Sequence, residues 1–193
     1  IQHNDVLELH LILADEMLDQ GSAGSFRNNS APSDQLFPQA SSVVPPRMLE
    51  LLEWWNTESA TLSPILSSAI LHYRFERIHP FAVGNSKTSR ALALWDLYRR
   101  GFDPHHLMAV DEYYKEDRSA YRAALSQVRD ADEDLTEWLE YCAQGLLQTL
   151  SRVWQQIKEL RKSPSTKFPL NPRQEHLLSL LRENTSLAPA EIW

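Results

Sequence analysis

Between Leu135 and Leu160 apolar residues recur at three- and four-residue steps: Leu135, Trp138, Leu139, Cys142, Leu146, Leu147, Leu150, Val153, Trp154, Ile157 and Leu160. Only an α-helix brings side chains spaced in that way onto one face. The stripe ends on Lys158, Arg161 and Lys162, cations that suit the negative end of a helix dipole. A helix of that length needs helical neighbours, and the sequence supplies them. Val6, Leu7, Leu9, His10, Leu13, Met17 and Leu18 mark the apolar side of a helix over residues 5–19, closed by Gly21 and Gly24. Pro45-Pro46 opens a second through Met48, Leu49, Leu52 and Trp55. Ser63-Pro64 opens a third that is apolar nearly all round, as expected of a central helix. Tyr113, Tyr114, Tyr121 and Leu125 predict another over residues 111–128, and Asp134 is placed to cap the long one. Six tryptophans against five glycines agree with a packed helical body, so the expected fold class is all-α.

The 193 residues suffice for one ordinary domain and a small appendage. A net charge of −7 argues against nonspecific binding to nucleic acid or anionic membranes, which need a cationic face. The single cysteine, Cys142, rules out an intrachain disulfide framework and lies in the apolar stripe, so it reads as a buried structural thiol. No apolar run approaches the roughly 20 residues that span a bilayer, and no signal-peptide pattern opens the chain, which makes the cytosol the expected compartment. A start at Ile1 and a stop in mid-pattern at Trp193 point to a fragment of a longer protein.

Residues 22–46 are rich in Ser, Asn and Pro and read as a long loop with room for a short β-hairpin. Residues 1–162 form the expected main domain, and residues 163–170, with two prolines, a linker. Asn171-Pro172 starts a helix over Leu177, Leu178, Leu180 and Leu181, followed by a turn and a second start at Pro189. Helix, short turn, helix is the opening of a helix-turn-helix or winged-helix module, here truncated at residue 193. Arg173 and Arg182 are balanced by Glu175, Glu183 and Glu191, so a DNA-reading helix would lie beyond the fragment. An ordinary hairpin used for dimer contacts fits the same residues.

The run from His79 to Arg90, His-Pro-Phe-Ala-Val-Gly-Asn-Ser-Lys-Thr-Ser-Arg, carries the chemistry. Pro80 turns the chain at His79. Gly84 permits a backbone conformation that other residues avoid, and Asn85 or Ser86 is placed to cap the helix that follows. The first turn of that helix offers free N–H groups and a positive dipole end to an anion, and Lys87 and Arg90 project from one face beside it. A base at the start of the loop and a phosphate cradle at its end suit group transfer.

Read whole, the run resembles the signature of the Fic (filamentation induced by cAMP) family, His-Pro-Phe-x-Asp/Glu-Gly-Asn-Gly-Arg-x-x-Arg. His79, Pro80, Phe81, Gly84, Asn85 and Arg90 match; Val83, Ser86 and Lys87 depart. Gly24-Ser25-Phe26-Arg27 and Trp54-Trp55-Asn56 look like the family's flap region, and residues 5–160 can be placed on the family's helical bundle. The resemblance implies protein adenylylation. His79 would take a proton from a target Ser, Thr or Tyr hydroxyl, which attacks the α-phosphate of ATP. It also implies that Gly84, Asn85, Ser86, Lys87 and Arg90 line the phosphates, and that Phe81 plugs the loop into the core.

Val83 stands where the family holds Mg²⁺ through a carboxylate, and a valine cannot ligate a hard cation. The signature loop is therefore not expected to hold Mg²⁺, and no metal-ligating residue is assigned. Ser86 adds a side chain to the cradle, and Lys87 keeps a charge without the bidentate fork of arginine. Glu76, Asp96 and Asp117 are expected in surface or capping roles, His72 in the core, and His105-His106 on the surface. Two functions stay open. One is an adenylyltransferase, with ATP or another nucleotide as donor, whose activity is attenuated or altered. The other is a catalytically silent Fic fold, the ligand-sensing or dimerising body of a DNA-binding regulator.

Overall fold

The computed structural model describes residues 1–14, 23–29, 40–102, 108–131 and 133–162, with residues 172, 175 and 179. Seven α-helices run through them: α1 His3–Ala14, α2 Val44–Asn56, α3 Pro64–Ile78, α4 Asn85–Arg99, α5 Val110–Glu116, α6 Arg118–Asp130 and α7 Thr136–Lys162. No strand occurs among the described residues, so the all-α expectation holds for them. Most of the hairpin region and of the expected winged-helix start lies outside the described residues; Pro172, Glu175 and Ser179 are helical. No helix among the described residues is long and apolar enough to cross a membrane.

Local sequence explains where the helices begin. Pro45 and Pro46 stand in the first turn of α2, where a missing N–H costs nothing. Ser63 caps α3, its hydroxyl accepting from the Leu66 N–H at 3.3 Å, with Pro64 next. Asp134 receives the Thr136 N–H at 2.9 Å at the start of α7. The expected helix over 111–128 is two helices. The chain leaves the helical region at Asp117 (φ −132°, ψ 87°), whose carboxylate accepts from the Ala120 N–H and opens α6. Asp117 thus has the capping role expected of it.

The chain divides into two compact units, Ile1–Val153 and Trp154–Trp193. The first holds two apolar cores. One gathers Val6 of α1, Met48, Leu52 and Trp55 of α2, Leu71, Phe75 and Ile78 of α3, Phe81, and Leu92 of α4. The other gathers Ala69 and Tyr73 of α3, Leu97 of α4, Tyr114, Tyr121 and Val128 of α5 and α6, and Trp138, Cys142 and Leu146 of α7. Helix α3 supplies both, which is the central position its all-round apolarity predicts, and its main partner is α4. Cys142 is buried as expected, whereas Leu147 and Leu150 of the same stripe are exposed.

Glu76 and Asp96 are not surface residues: both lie in the core. Asp96 accepts from Trp55 Nε1–H (2.6 Å), the Ser67 hydroxyl (2.6 Å) and Arg99 Nε–H (2.9 Å). Glu76 accepts from the hydroxyls of Ser89 (2.7 Å) and Tyr121 (3.0 Å). A buried carboxylate is tolerable only with such partners, and all of these but Arg99 come from other helices.

Candidate functional site

The loop from His79 to Gly84 joins the end of α3 to the start of α4. His79 closes α3 in the left-handed region (φ 50°, ψ 60°), its N–H still bonded to the Phe75 carbonyl at 3.0 Å. Positive φ is uncommon outside glycine, and histidine is among the residues that tolerate it best when supported. Arg27 supplies the support: its Nε–H donates to the His79 carbonyl at 2.7 Å, and its backbone N–H donates to the Pro80 carbonyl at 2.9 Å. The same guanidinium reaches the Asn29 carbonyl through Nη1 and leaves Nη2 buried without a partner among the described residues. Phe81 is fully buried among Phe26, Phe75 and His10, as its expected plug role requires.

Gly84 is the N-cap of α4 at φ 77°, so the cap is neither Asn85 nor Ser86. A Cβ at Gly84 would also come within 3.3 Å of His10 Nε2. Asn85 begins the helix and turns its amide back into the loop. Its Oδ1 accepts from the Phe81 N–H (2.9 Å) and its Nδ2 donates to the Phe81 carbonyl (2.7 Å). Both ends of that buried side chain are thereby spent on the backbone. What α4 presents to an anion is its first-turn N–H groups and dipole, with Ser86 half-buried and Lys87 exposed beside them.

The two cations are brought to the same helix but each has a protein partner. Lys87 Nζ donates to the Leu13 carbonyl at 2.8 Å, near the end of α1, where a cation relieves the orphan carbonyls. Arg90 pairs with Asp111 at the start of α5, and Lys115 joins the same carboxylate. Burial pushes the Asp111 carboxyl up, yet Lys115 and Arg90 outweigh it and hold it below the usual carboxylate range. Arg90 and Lys87 also line a cavity of about 190 Å³ whose walls include Leu13, Leu94, Leu97 and Tyr114.

Titration separates the histidines by role. Burial lowers the pKa of His79; Glu76 opposes the shift and Arg27 adds to it, which favours a neutral, half-buried imidazole able to accept a proton. His72, in the core as expected, is lowered by burial to about 3, with Arg90 adding to the shift and Asp111 opposing it. Its Nε2 meets the Tyr121 hydroxyl at 2.9 Å, and its Nδ1 has no partner among the described residues. His105 and His106 lie outside the described residues. At Val83 the structure offers a backbone carbonyl and an apolar side chain, and the described residues contain no cluster of three His, Cys, Asp or Glu able to hold a metal.

Sequence reasoning missed two residues that hold the loop, Arg27 and His10. Arg27 follows Gly24 closely, and a cation just after a glycine turn was the available signal. His10 stood on the apolar side of α1, the one polar residue in that stripe.

A family model described as the Fic/DOC family matches residues 1–97. Protein adenylyltransferase fic-1 of Caenorhabditis elegans is 32% identical over 126 residues, which are 65% of this chain and 23% of that protein. Protein adenylyltransferase Fic of Drosophila melanogaster is 33% identical over 129 residues, 66% of this chain and 25% of that protein. The chain thus spans about a quarter of the length of these curated relatives. Among solved structures, Fic-1 from C. elegans superposes with a TM-score of 0.67 at 27% identity, covering 82% of this chain and 44% of that one. A Fic family protein from Desulfovibrio desulfuricans G20 shares the fold, with a TM-score of 0.68 at 24% identity over 85% of this chain and 49% of that one. By that match to half its length, by these relatives and by its helical fold, the chain belongs to the Fic/DOC family.

Proposed function

We propose that the domain binds ATP at the start of α4 and transfers AMP slowly to a protein hydroxyl, with His79 as the base. The observation that carries this reading is the loop itself: His79, whose pKa burial holds below the ordinary value, is braced by Arg27 on the same turn that ends in the first N–H groups of α4. In the transfer, the target oxygen forms a bond to the α-phosphorus as its proton passes to the imidazole. The bond from that phosphorus to the pyrophosphate breaks, and pyrophosphate leaves with the electron pair. Gly84, Ser86, Lys87 and Arg90 are the proposed contacts of the phosphates, with Asn85 shaping the turn beneath them. Val83 does not fit Mg²⁺, so no step is drawn through a metal held by this loop; the metal's share of charge neutralisation is missing from it, hence the low rate.

The engagement of Lys87 with Leu13 and of Arg90 with Asp111 favours a second reading. In it the domain is catalytically silent, the ligand-sensing or dimerising body of a regulator whose winged-helix part begins at residue 171. A cytoplasmic location, a homodimer and contact with DNA belong to that reading as proposals.

Calorimetric titration of ATP, with and without Mg²⁺, separates the two when paired with transfer from α-labelled ATP. Expected are micromolar binding lost in the Lys87→Ala/Arg90→Ala variant and label transfer lost in His79→Ala, which still binds ATP. Binding without transfer by the wild-type domain leaves the silent body, and no heat in either condition sinks the nucleotide reading altogether.

A further inference from the structure

We propose that His10 of α1, which touches no substrate, is a positioning residue of the signature loop, and that it acts only as the neutral tautomer protonated at Nε2. The geometry assigns the tautomer. Nδ1 receives the Gly24 N–H at 3.0 Å, so it must carry a lone pair. Nε2 lies 3.1 Å from the Val83 carbonyl, which can only accept, so Nε2 must carry the proton. The ring has no exposed surface and stacks on Phe81 with centroids 3.6 Å apart and planes 5° from parallel. It also sits under Gly84, where a Cβ would crowd it.

One side chain therefore ties three pieces: the turn at Gly24, the plug Phe81, and the Val83–Gly84 peptide that enters α4. The orientation of that peptide decides where the first N–H groups of α4 point. A second proton on the ring would set a donor against the Gly24 donor and break the tie from one side. Burial, the main influence, lowers the pKa of His10, and the bond to Val83 opposes it. The elements around it carry His3, Asp5 and Glu8 on α1, Arg27 after the turn, His79 at the end of α3 and Lys87 on α4. None of these is bonded to the imidazole. The residues that face it directly, Ala14, Gly24, Phe81, Val83 and Gly84, are uncharged.

The effect on ATP rests on the nucleotide reading above; the tautomer does not. The test uses the full 193-residue chain with ¹⁵N-labelled histidine, and calorimetry with ATP at pH 7.5 and 5.5. Nitrogen shifts of His10 should report a proton on Nε2 alone; a proton on Nδ1 would overturn the proposal whatever the variants do. His10→Phe keeps a ring on Phe81 and removes both hydrogen bonds, whereas the terminal amide of His10→Gln can still donate to the Val83 carbonyl and does not titrate. Expected is a loss of ATP affinity of tenfold or more in His10→Phe, recovery to within about threefold in His10→Gln, and a weakening at low pH larger in the wild type than in His10→Gln, both sharing the part due to protonation of the phosphate itself. Wild-type affinity in His10→Phe would overturn the positioning role. Should the wild type bind no ATP, amide exchange decides instead. Gly24 should exchange faster in both variants and Phe81 only in His10→Phe; an unchanged Phe81 amide there would refute the role of His10 independently of the nucleotide.

Discussion

Asp111 competes for Arg90 with any phosphate that approaches α4. The pair is partly open to solvent, with side-chain exposures of 15% for Arg90 and 38% for Asp111, so it is worth about 1 kcal/mol at most. Removing the competing charge should release that energy to a ligand: Asp111→Asn is expected to tighten ATP binding about fivefold by calorimetry. Unchanged or weaker binding would mean that Arg90 does not turn toward the nucleotide. At this scale the sequence was legible wherever a residue's task is local. The left-handed glycine, the turn at His79, the buried Phe81 and the thiol of Cys142 follow from neighbours within a few positions. What Lys87 and Arg90 grip was not legible, because Leu13 and Asp111 lie 74 and 21 residues from their partners. The sequence places a cation on a face; only the fold says what already holds it.

Among elements, one carboxylate adds a polar tie to the apolar join of α2, α3 and α4. Asp96 collects Trp55, Ser67 and Arg99, and Arg99 returns to the Trp55 carbonyl at 3.0 Å while its guanidinium lies 4.7 Å from the Trp55 ring centre. Asp96→Ala leaves two buried donors and a cation without their acceptor. It should cost about 3–5 kcal/mol, read as a lower urea midpoint at unchanged m-value. A loss below about 1 kcal/mol would show that water or a shifted Arg99 replaces the carboxylate. Helix starts were legible from Pro45-Pro46 and from Ser63-Pro64, since proline and a hydroxyl act within their own first turn. The break at Asp117 was not: the sequence offers Asp117 a surface or capping role, and only the turn shows that its cap divides the helix expected over 111–128. The burial of Glu76 was hidden for the same reason as the grips above, with Tyr121 45 residues away.

For the Ile1–Val153 unit as a whole, buried neutral imidazoles set the response to acid. His10, His72 and His79 are held below the ordinary histidine pKa in the fold, His72 at about 3, whereas the unfolded chain protonates them near 6.5. The unfolded state then binds more protons below pH 6.5, so stability is level above that value and falls beneath it until the folded groups titrate. For His72 alone the slope is about 1.4 kcal/mol per pH unit between pH 6.5 and about 3. Urea midpoints at pH 7.5, 5.5 and 4.5 should show it, and His72→Gln should flatten the acid side; equal slopes in both would assign the loss to other groups.

Helix α3 belongs to both cores, and this has a practical corollary. Neither half of the unit can melt and leave the other its partner helix, so a single cooperative transition is the natural outcome. The signature loop is the continuation of that shared helix. Any small molecule gripping the loop is therefore coupled to the melting of the entire unit, and at a hundred times its dissociation constant it adds about 2.7 kcal/mol. A dye-based melting screen of nucleotides and other phosphates would thus survey ligands for this domain without an activity assay.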